Sequence, residues 1–326
     1  MGVIERGDVG LIEPRDVGVI ERYKTWLPVG PLTPALTLGE GTTPLLRAPV
    51  LSQRLGVDIR LKCEGLNPTG SFKDRGMVVA VAKAVEEGAS AVVCASTGNT
   101  AASAAAYAAR AGINALILQP AGANTKAKQA QARITGAELR DVQGTFDDAL
   151  RECRAIAASG SHVMVNSLNP YRIEGQKTAA FELVEELGRV PDVVALPYGG
   201  GGNLGAYLKG FAEFGQGEPQ LVAGESSERP QTAASAIRIS EPAHADEVAE
   251  AVAAGRAEVV SVTDEEIADA WLDLARLEGV FCELSSAAGL AALKRVELAP
   301  GTLAVCILTG HGLKDTGAVD HLAEAP

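Results

Sequence analysis

One lysine of this sequence lies at a position typical of a presented amine. Residues 67–76 read NPTGSFKDRG, so Lys73 follows the turn formers Asn67, Pro68 and Gly70 and precedes a segment that reads as a helix. A lysine that only contacts solvent needs no such turn, whereas a lysine that attacks a carbonyl must be held at a fixed angle. The pattern therefore indicates an amine presented at a fixed angle, and its chemistry depends on what lies beside it.

A second segment is typical of an anion site. PYGGGGN at 197–203 follows the apolar run DVVAL, and four consecutive glycines let the backbone approach a ligand closely: Gly199, Gly200, Gly201 and Gly202. Successive N–H groups there and at the start of the next helix, which Asn203 can cap, suit a phosphate. No Gly-Lys-Ser/Thr follows, so this is not a P-loop. A cofactor with a phosphate and an aldehyde would use both this loop and Lys73.

The elements that must position these residues alternate along the chain. Apolar runs at 91–94, 115–118, 192–196, 220–224 and 303–308 predict buried strands. Ala-rich stretches between them predict helices at 74–87, 100–111, 125–136, 145–158, 174–187, 203–214, 264–278 and 285–294. This alternation predicts an α/β fold with parallel strands covered on both faces. Ligands bind at the carboxyl ends of such strands, where ASTGNT (95–100) and TGHGLKDT (309–316) also lie.

The composition excludes several classes of protein. The net charge of −12 disfavours nucleic-acid binding, which needs a basic face. The longest uncharged stretch, 88–109, has STGNT in its middle and reads as strand, loop and helix rather than a membrane span. No His/Cys cluster or H-E-x-x-H motif predicts a metal site. The five widely spaced cysteines indicate reduced, buried thiols in a cytoplasmic protein: Cys63, Cys94, Cys153, Cys282 and Cys306.

The first 25 residues contain a short tandem repeat. GVIERGDV at 2–9 is followed by GLIEPRDV at 10–17 and GVIERYKT at 18–25, and charges occur throughout, so no secretory signal peptide is expected. Eight residues are too few for a solenoid unit. We therefore expect residues 1–17 to form an N-terminal arm.

Several segments together resemble one enzyme family. NPTGSFKDRG, ASTGNT, the glycine loop and TGHGLKD resemble the signature segments of threonine synthases, which are pyridoxal-phosphate (PLP) enzymes of fold type II, the tryptophan synthase β-like group. GEGTTPLL (39–46) and NSLNPYRIEGQKT (166–178) resemble the same family, and the likeness extends from about residue 18 to the end. The uninterrupted glycines, and Thr316 in place of the family's usual proline, depart from its pattern.

The resemblance implies roles around the cofactor. Lys73 would hold PLP as an imine and act as the catalytic base, while the glycine loop and Asn203 would bind the cofactor phosphate. Asn99 would hydrogen-bond the 3′-oxygen of PLP. Thr309 would face the pyridine nitrogen, where a hydroxyl cannot stabilise a pyridinium as a carboxylate would, so the ring is a weaker electron sink.

The resemblance also implies two anion sites for the substrate. One would bind the amino-acid carboxylate at a helix start, through Ser96, Thr97 and Thr100. The other would bind a substrate phosphate, through Lys128, Asn166, Ser167 and Arg172. A guanidinium suits a phosphate because its fork can bind two oxygens. Lys126 begins the same predicted helix as Lys128 and remains an alternative.

The implied architecture is two open, twisted, mostly parallel sheets flanked by helices, with the cofactor in an interdomain cleft. The large domain would comprise 18–77 and 166–326, and the small mobile domain 78–165. The implied reaction converts O-phospho-L-homoserine and water to L-threonine and phosphate in a cytoplasmic homodimer. The expected partner is a small phosphorylated amino acid, with no nucleic acid and no membrane.

Three alternatives remain open. A PLP-dependent threonine or serine dehydratase, or a β-replacement synthase that uses O-phosphoserine, would share the fold. Dehydratases of this fold usually have Ser or Cys opposite the pyridine nitrogen and lack TGHGLKD, and the second phosphate site also argues against them. A non-catalytic PLP- or phosphate-binding regulator would not need Lys73, Asn99 and Thr309 together.

Overall fold

The fold consists of short strands and longer helices that alternate along the chain. A computed structural model describes residues 17–122 and 126–322. The strands are β1 (Leu45–Arg47), β2 (Asp58–Lys62), β3 (Ala91–Ala95), β4 (Asn114–Pro120), β5 (Glu138–Val142), β6 (Val163–Met164), β7 (Val193–Pro197), β8 (Gln220–Ser226), β9 (Ala257–Val262) and β10 (Leu303–Ile307). The helices are α1 (Val19–Arg22), α2 (Pro49–Leu55), α3 (Lys73–Glu86), α4 (Asn99–Ala111), α5 (Lys126–Ile134), α6 (Phe146–Ala158), α7 (Pro170–Leu187), α8 (Gly202–Phe214), α9 (Ala245–Ala253), α10 (Asp264–Glu278), α11 (Ala288–Leu293) and α12 (Gly317–Leu322).

The strands form two sheets. The six-stranded sheet has the order β1-β2-β10-β7-β8-β9, and the four-stranded sheet has the order β5-β4-β3-β6. The pairing of β1 with β2 is antiparallel, while the other pairs are parallel. This arrangement confirms the predicted α/β fold of two mostly parallel sheets. The four-stranded sheet falls within the predicted small domain 78–165, but the domain division and its mobility remain predictions.

The central strands are buried along their whole length because helices cover both faces. All five residues of β3, β7 and β10 are buried, which explains why these strands read as continuous apolar runs. One side of the large sheet packs on α2, α10 and α11 around Trp271, and the other packs on α7 and α8 around Phe211. The four-stranded sheet packs on α3 and α4 around Tyr107.

A buried ion network connects α3 to the six-stranded sheet. Arg75 pairs with Glu64 at 2.7 Å and with Glu182 of α7 at 2.6 Å, and Lys62 of β2 lies 3.1 Å from Glu182. Burial alone would raise the pKa of Glu182, but Arg75, Lys62 and the hydrogen bond from Thr42 together outweigh burial and lower the pKa to about 2. The Glu182 carboxylate also accepts from the main-chain nitrogen of Thr42 at 2.7 Å. The network therefore ties GEGTTPLL to the segment around Lys73.

Some elements differ from those predicted. Helix α7 begins at Pro170 rather than 174, because Asn169 caps it and proline favours the first helical position. The sequence analysis missed β1, β2, β5, β6 and β9; β5 has only one buried residue, and β6 has only two residues in all. The acidic run EPAHADEVAEAV at 241–252 reads as a solvated helix, but α9 within it buries Val248 and Ala251. The expected arm 1–17 lies, except for residue 17, outside the described residues.

The described part of the chain agrees with the expected cysteine chemistry. All five cysteines are buried and free. Burial raises the pKa of the Cys94 thiol to about 12, so it is not a reactive thiolate at neutral pH. Within residues 17–122 and 126–322, no helix is both long enough and apolar enough to span a bilayer.

Candidate active site

Lys73 is the first residue of α3 and is only partly exposed. Its Nζ lies 4.3 Å from the centre of the Phe72 ring. Burial, and to a smaller extent the positive charge of Arg172, lower the pKa of Lys73 to about 7. A substantial fraction of the Lys73 amine is therefore neutral near pH 7, which is the form that attacks carbonyls and accepts protons.

The main chain fixes Lys73 beside the end of β10. The Phe72 nitrogen donates to the carbonyl oxygen of Thr309 at 3.0 Å, and Ser71 forms an antiparallel bridge with Gly310. Thr309 is buried, and its hydroxyl lies 3.1 Å from the hydroxyl of Ser286. The fold thus brings NPTGSFKDRG and TGHGLKD together although more than two hundred residues separate them in the sequence.

The residue after Lys73 holds the same turn in place. The carboxylate of Asp74 accepts from the nitrogen of Thr69 at 2.7 Å, from its hydroxyl at 2.6 Å and from the hydroxyl of Ser103 at 2.6 Å. Burial raises the pKa of Asp74 to about 6, against the lowering effect of these hydrogen bonds. Since Ser103 belongs to α4, Asp74 also connects the lysine turn to that helix.

The loop after β3 places Asn99 at the start of α4. Asn99 is buried and its amide nitrogen donates to Glu283 at 2.7 Å, while its Oδ1 has no hydrogen-bond partner among the described residues. The expected carboxylate-binding residues lie in this loop and are partly exposed: Ser96, Thr97 and Thr100. Their proximity to the N-terminus of a helix suits an anion, but their contact with a substrate remains a prediction.

The glycine loop lies between β7 and α8. Gly201 has φ +85°, and a Cβ added to it would lie 3.0 Å from the Cβ of His244. A Cβ on Gly199 would lie 3.1 Å from the Cα of Ile237. A side chain at Gly199 or Gly201 would therefore crowd the loop. Glycine at these positions leaves the loop backbone open to a ligand.

Asn203 does not cap α8, contrary to the sequence-based expectation. Gly201 is the N-cap because its left-handed conformation lets the helix begin at Gly202. Asn203 is instead the second residue of α8, and its buried amide nitrogen has no hydrogen-bond partner among the described residues. This donor at a helix N-terminus fits a phosphate, which agrees with the role assigned to the loop.

Arg172 of α7 is fully buried and only partly bonded. Its Nη1 donates to the carbonyl oxygen of Val165 at 3.1 Å, while Nε and Nη2 have no partner in the described part of the chain. Burial lowers the pKa of Arg172 to about 10. Helices α3 and α7 meet so closely that a Cβ on Gly76 would lie 3.0 Å from the Cα of Arg172. The main chain of Arg172 thus packs against Gly76, which lies three residues after Lys73 in α3.

The other expected phosphate ligands have different surroundings. The amide of Asn166 bonds both main-chain groups of Ala95, accepting at 3.0 Å and donating at 2.8 Å, so it holds the end of β3. Ser167 is partly exposed, and its carbonyl oxygen lies 3.2 Å from Nε2 of His244. Lys128 is buried and pairs with Glu283 at 2.8 Å. The substrate contacts of all three remain predictions.

The sequence analysis missed two residues that contact this site, Glu283 and His244. Glu283 is a single charge in the otherwise uncharged stretch FCELSSAAGLAAL, a pattern that can indicate a buried charge. His244 lies within the acidic run, and no local signal connects it to the glycine loop. Its main-chain nitrogen donates to the carbonyl oxygen of Gly200 at 3.1 Å.

The residues present fit PLP. A lysine with a pKa of about 7, a crowded glycine loop with an unpartnered amide donor and a buried asparagine with a free acceptor provide what an aldehyde, a phosphate and a ring oxygen require. A hydroxyl rather than a carboxylate lies at the end of β10, on Thr309.

The comparisons with known proteins agree with this geometry. Residues 36–310 match the family model described as pyridoxal-phosphate dependent enzyme. The threonine synthase of Halalkalibacterium halodurans is 49% identical over 315 residues, covering 91% of this chain and 89% of that protein. The threonine synthase of Mycobacterium tuberculosis is 49% identical over 317 residues, covering 91% and 88%. A fungal L-serine ammonia-lyase from Rhizomucor miehei has a similar structure, with a TM-score of 0.78, 24% identity and coverage of 87% and 98%.

The fold and the lysine site define a PLP-dependent enzyme of fold type II, which confirms the fold class and the cofactor predicted from the motifs. The likeness to the ammonia-lyase bears on the fold alone. The chain belongs to the pyridoxal-phosphate dependent enzyme family and, within it, to the threonine synthases.

Proposed function

We propose that this enzyme converts O-phospho-L-homoserine and water to L-threonine and phosphate. Its relatives at 49% identity are threonine synthases, and they align over nine-tenths of the chain. The reaction breaks the bond between Cγ and the phosphate oxygen, forms a bond between Cβ and a water oxygen, and moves protons among Cα, Cβ and Cγ. The site must therefore bind a phosphate beside a proton-transfer group.

The observation that carries this proposal is the environment of Arg172. A fully buried guanidinium with two unpartnered nitrogens is costly unless an anion completes its hydrogen bonds. It lies close enough to Lys73 to lower the lysine pKa. A substrate with a phosphate two carbons beyond Cα would satisfy both groups.

Lys73 is the group best suited to move the protons. With a pKa of about 7, its amine can accept and release a proton at neutral pH. When bound, PLP supplies an electron sink for negative charge that develops on the substrate.

The N-terminus of α4, with Ser96, Thr97 and Thr100, would orient the substrate carboxylate. Lys128 rather than Lys126 would assist Arg172, because its buried ammonium lies beside Glu283, while the side chain of Lys126 lies outside the described structure.

A product assay separates this function from its alternatives. The holoenzyme is incubated with O-phospho-L-homoserine, and phosphate and L-threonine are measured together, with the Lys73→Ala variant as the blank. Equal amounts of the two products are expected. Threonine, serine and O-phosphoserine are tested as substrates in parallel. Formation of a 2-oxo acid from threonine or serine as the main reaction would favour a dehydratase, and turnover of O-phosphoserine instead would favour a β-replacement synthase. No turnover of any substrate would favour a non-catalytic binder.

An exposed apolar surface supports the proposal of a homodimer. Leu46, Leu66 and Phe281 surround a surface cavity of about 300 Å³ and are 42%, 55% and 36% exposed. Leu46 lies on β1, an edge strand of the large sheet. Apolar surfaces of this kind often mark interfaces. Leu66→Glu should shift sedimentation from dimer to monomer, and an unchanged sedimentation coefficient would place the interface elsewhere.

The five free cysteines support a cytoplasmic location, because reducing compartments keep thiols unpaired.

A further inference from the structure

A buried carboxylate that has no assigned role lies at the centre of the site. Glu283 is 1% exposed, and its main-chain nitrogen donates to the carbonyl oxygen of Gly310 at 2.9 Å. The residues on either side of this pair, Cys282 and His311, form an antiparallel bridge. The backbone of Glu283 is therefore fixed to the segment that carries Thr309.

The two carboxylate oxygens of Glu283 reach across to the other sheet. Oε2 accepts from Nδ2 of Asn99 at 2.7 Å, and Oε1 lies 2.8 Å from Nζ of Lys128. Asn99 begins α4 and Lys128 belongs to α5, both of which accompany the four-stranded sheet. One side chain thus contacts a residue assigned to the cofactor and a residue assigned to the substrate phosphate.

The contact with Asn99 determines how its amide is oriented. An ionised carboxylate only accepts hydrogen bonds, so Asn99 must turn its nitrogen toward Glu283. The opposite edge of the amide, Oδ1, is then fixed in the buried position where it has no partner among the described residues. Without Glu283 the two edges could exchange.

The contact with Lys128 is of a different kind. The nitrogen of Lys128 lies within ion-pair distance of Oε1, yet Oε1 accepts no well-aligned hydrogen bond from any of the described residues. Glu283 therefore attracts and partly neutralises the ammonium while leaving its N–H groups poorly used. A phosphate oxygen could accept from them.

This arrangement explains why residue 310, in the TGHG segment, is glycine. A Cβ on Gly310 would overlap the carboxylate of Glu283. The strand end can carry Thr309 beside Glu283 only if the next residue has no side chain.

We propose that Glu283 is a positioning residue that orients the amide of Asn99 toward the cofactor and holds Lys128 in competition with the substrate phosphate. The proposal rests on the proposed function, because it takes Lys128 as a phosphate ligand. Because Glu283 competes for Lys128, inorganic phosphate binds weakly and can leave as a product. The phosphorylated amino acid is retained by the additional contacts that the rest of the substrate makes.

The test uses the holoenzyme with the variants Glu283→Gln and Glu283→Asp. Glu40→Gln is the matched control, since Glu40 is equally buried and hydrogen-bonds Tyr107 and Val19 outside the site. Two readouts other than turnover are measured, namely inorganic-phosphate binding by calorimetry and the visible absorbance spectrum of the bound cofactor. In Glu283→Gln, phosphate should bind roughly tenfold more tightly, the size of one charged hydrogen bond, and the spectrum should shift. Glu283→Asp should return both toward wild type, and Glu40→Gln should change neither.

Two results would overturn the proposal: a phosphate Kd in Glu283→Gln equal to that of wild type, or a spectrum identical to that of wild type. If Glu283→Gln does not fold, Lys128→Met tests the same competition from the other side. Phosphate should then bind more weakly with an unchanged spectrum, and unchanged phosphate binding would reject the role of Lys128. Failure of the proposed function is distinct, because it would appear as absent threonine formation by the wild type whatever the variants bind.

Discussion

The main-chain nitrogen of Phe72 donates a hydrogen bond to the carbonyl oxygen of Thr309 over 3.0 Å. Main-chain bonds of this kind do not depend on the identity of either side chain, so substitutions at Thr309 leave the link to the lysine turn intact. The side chain of Thr309 can therefore be varied to test the electronic environment of the cofactor while Lys73 keeps its place.

Replacing Thr309 by Asp should alter which products form. A carboxylate facing the pyridine nitrogen would favour its protonated form and strengthen the electron sink. Side reactions such as transamination should rise relative to threonine formation, with some loss of stability because the new charge is buried. The measurement is the ratio of threonine to keto acid from O-phospho-L-homoserine, with Thr309→Ser as the control that keeps the hydroxyl. An equal ratio in a variant that still binds PLP would mean that Thr309 does not face the nitrogen.

Replacing Arg75 by Met should destabilise the protein strongly. The change leaves Glu64 and Glu182 buried without their main counter-charge, which typically costs about 3–5 kcal/mol. The control is Arg151→Met, because Arg151 is 75% exposed and its pair with Asp148 should contribute at most about 1 kcal/mol. The measurement is the free energy of unfolding in urea. Equal losses in the two variants would contradict the structural role of the buried network.

The same network predicts the direction in which the free energy of unfolding changes at acid pH. The folded pKa of Glu182 is about 2, below the ordinary 4.5, so its ionised form stabilises the fold at pH values above 4.5. That contribution is lost as the pH falls from 4.5 toward 2. In Arg75→Met the lowering influence of Arg75 is absent, so acid should protonate Glu182 at a higher pH than in wild type.

Local patterns predicted the parts of the site that are contiguous in sequence. The turn before Lys73 and the glycines before α8 are each readable because their residues act within one short segment. Glu283 was not readable in this way, since its importance arises from contacts with Asn99, Lys128 and Gly310, which are distant in the chain. The capping role of Asn203 was wrong because the conformation of Gly201 decides where α8 begins, and sequence alone does not specify φ.

Arg172→Met should weaken substrate binding far more than cofactor binding. A charged hydrogen bond to a phosphate is typically worth about 1.5–3 kcal/mol, so the substrate Kd should rise roughly tenfold or more. PLP affinity should change little, because Arg172 is assigned to the substrate phosphate and the glycine loop to the cofactor phosphate. The measurement is the binding of a non-reactive phosphonate analogue to the holoenzyme, with the exposed Arg189→Met as control. Unchanged analogue binding would move the phosphate site elsewhere, with Lys128 as the next candidate.

The pKa of Lys73 should govern how fast the cofactor-free protein captures PLP. Only the neutral amine attacks the aldehyde, so the rate of appearance of the visible absorbance should rise with pH to a plateau, with a midpoint near the lysine pKa of about 7. An exposed lysine would give a midpoint near 10.5, and Nα-acetyl-lysine with PLP measures that reference under the same conditions. In Lys73→Ala, the visible absorbance of the captured cofactor should not appear at any pH.

The same measurement in Arg172→Met separates the two causes of the shift. Burial is the larger cause and persists in the variant, whereas the repulsion from Arg172 is removed, so the midpoint should rise but stay below that of Nα-acetyl-lysine. The folded pKa of Lys73 lies below the unfolded one, so burying this lysine costs stability, in full below about pH 7. The cost decreases as the pH rises from about 7 to 10.5 and is absent above that. A wild-type midpoint equal to that of Nα-acetyl-lysine would show that the amine is not desolvated, and an unchanged midpoint in Arg172→Met would show that the charge of Arg172 does not contribute to the shift.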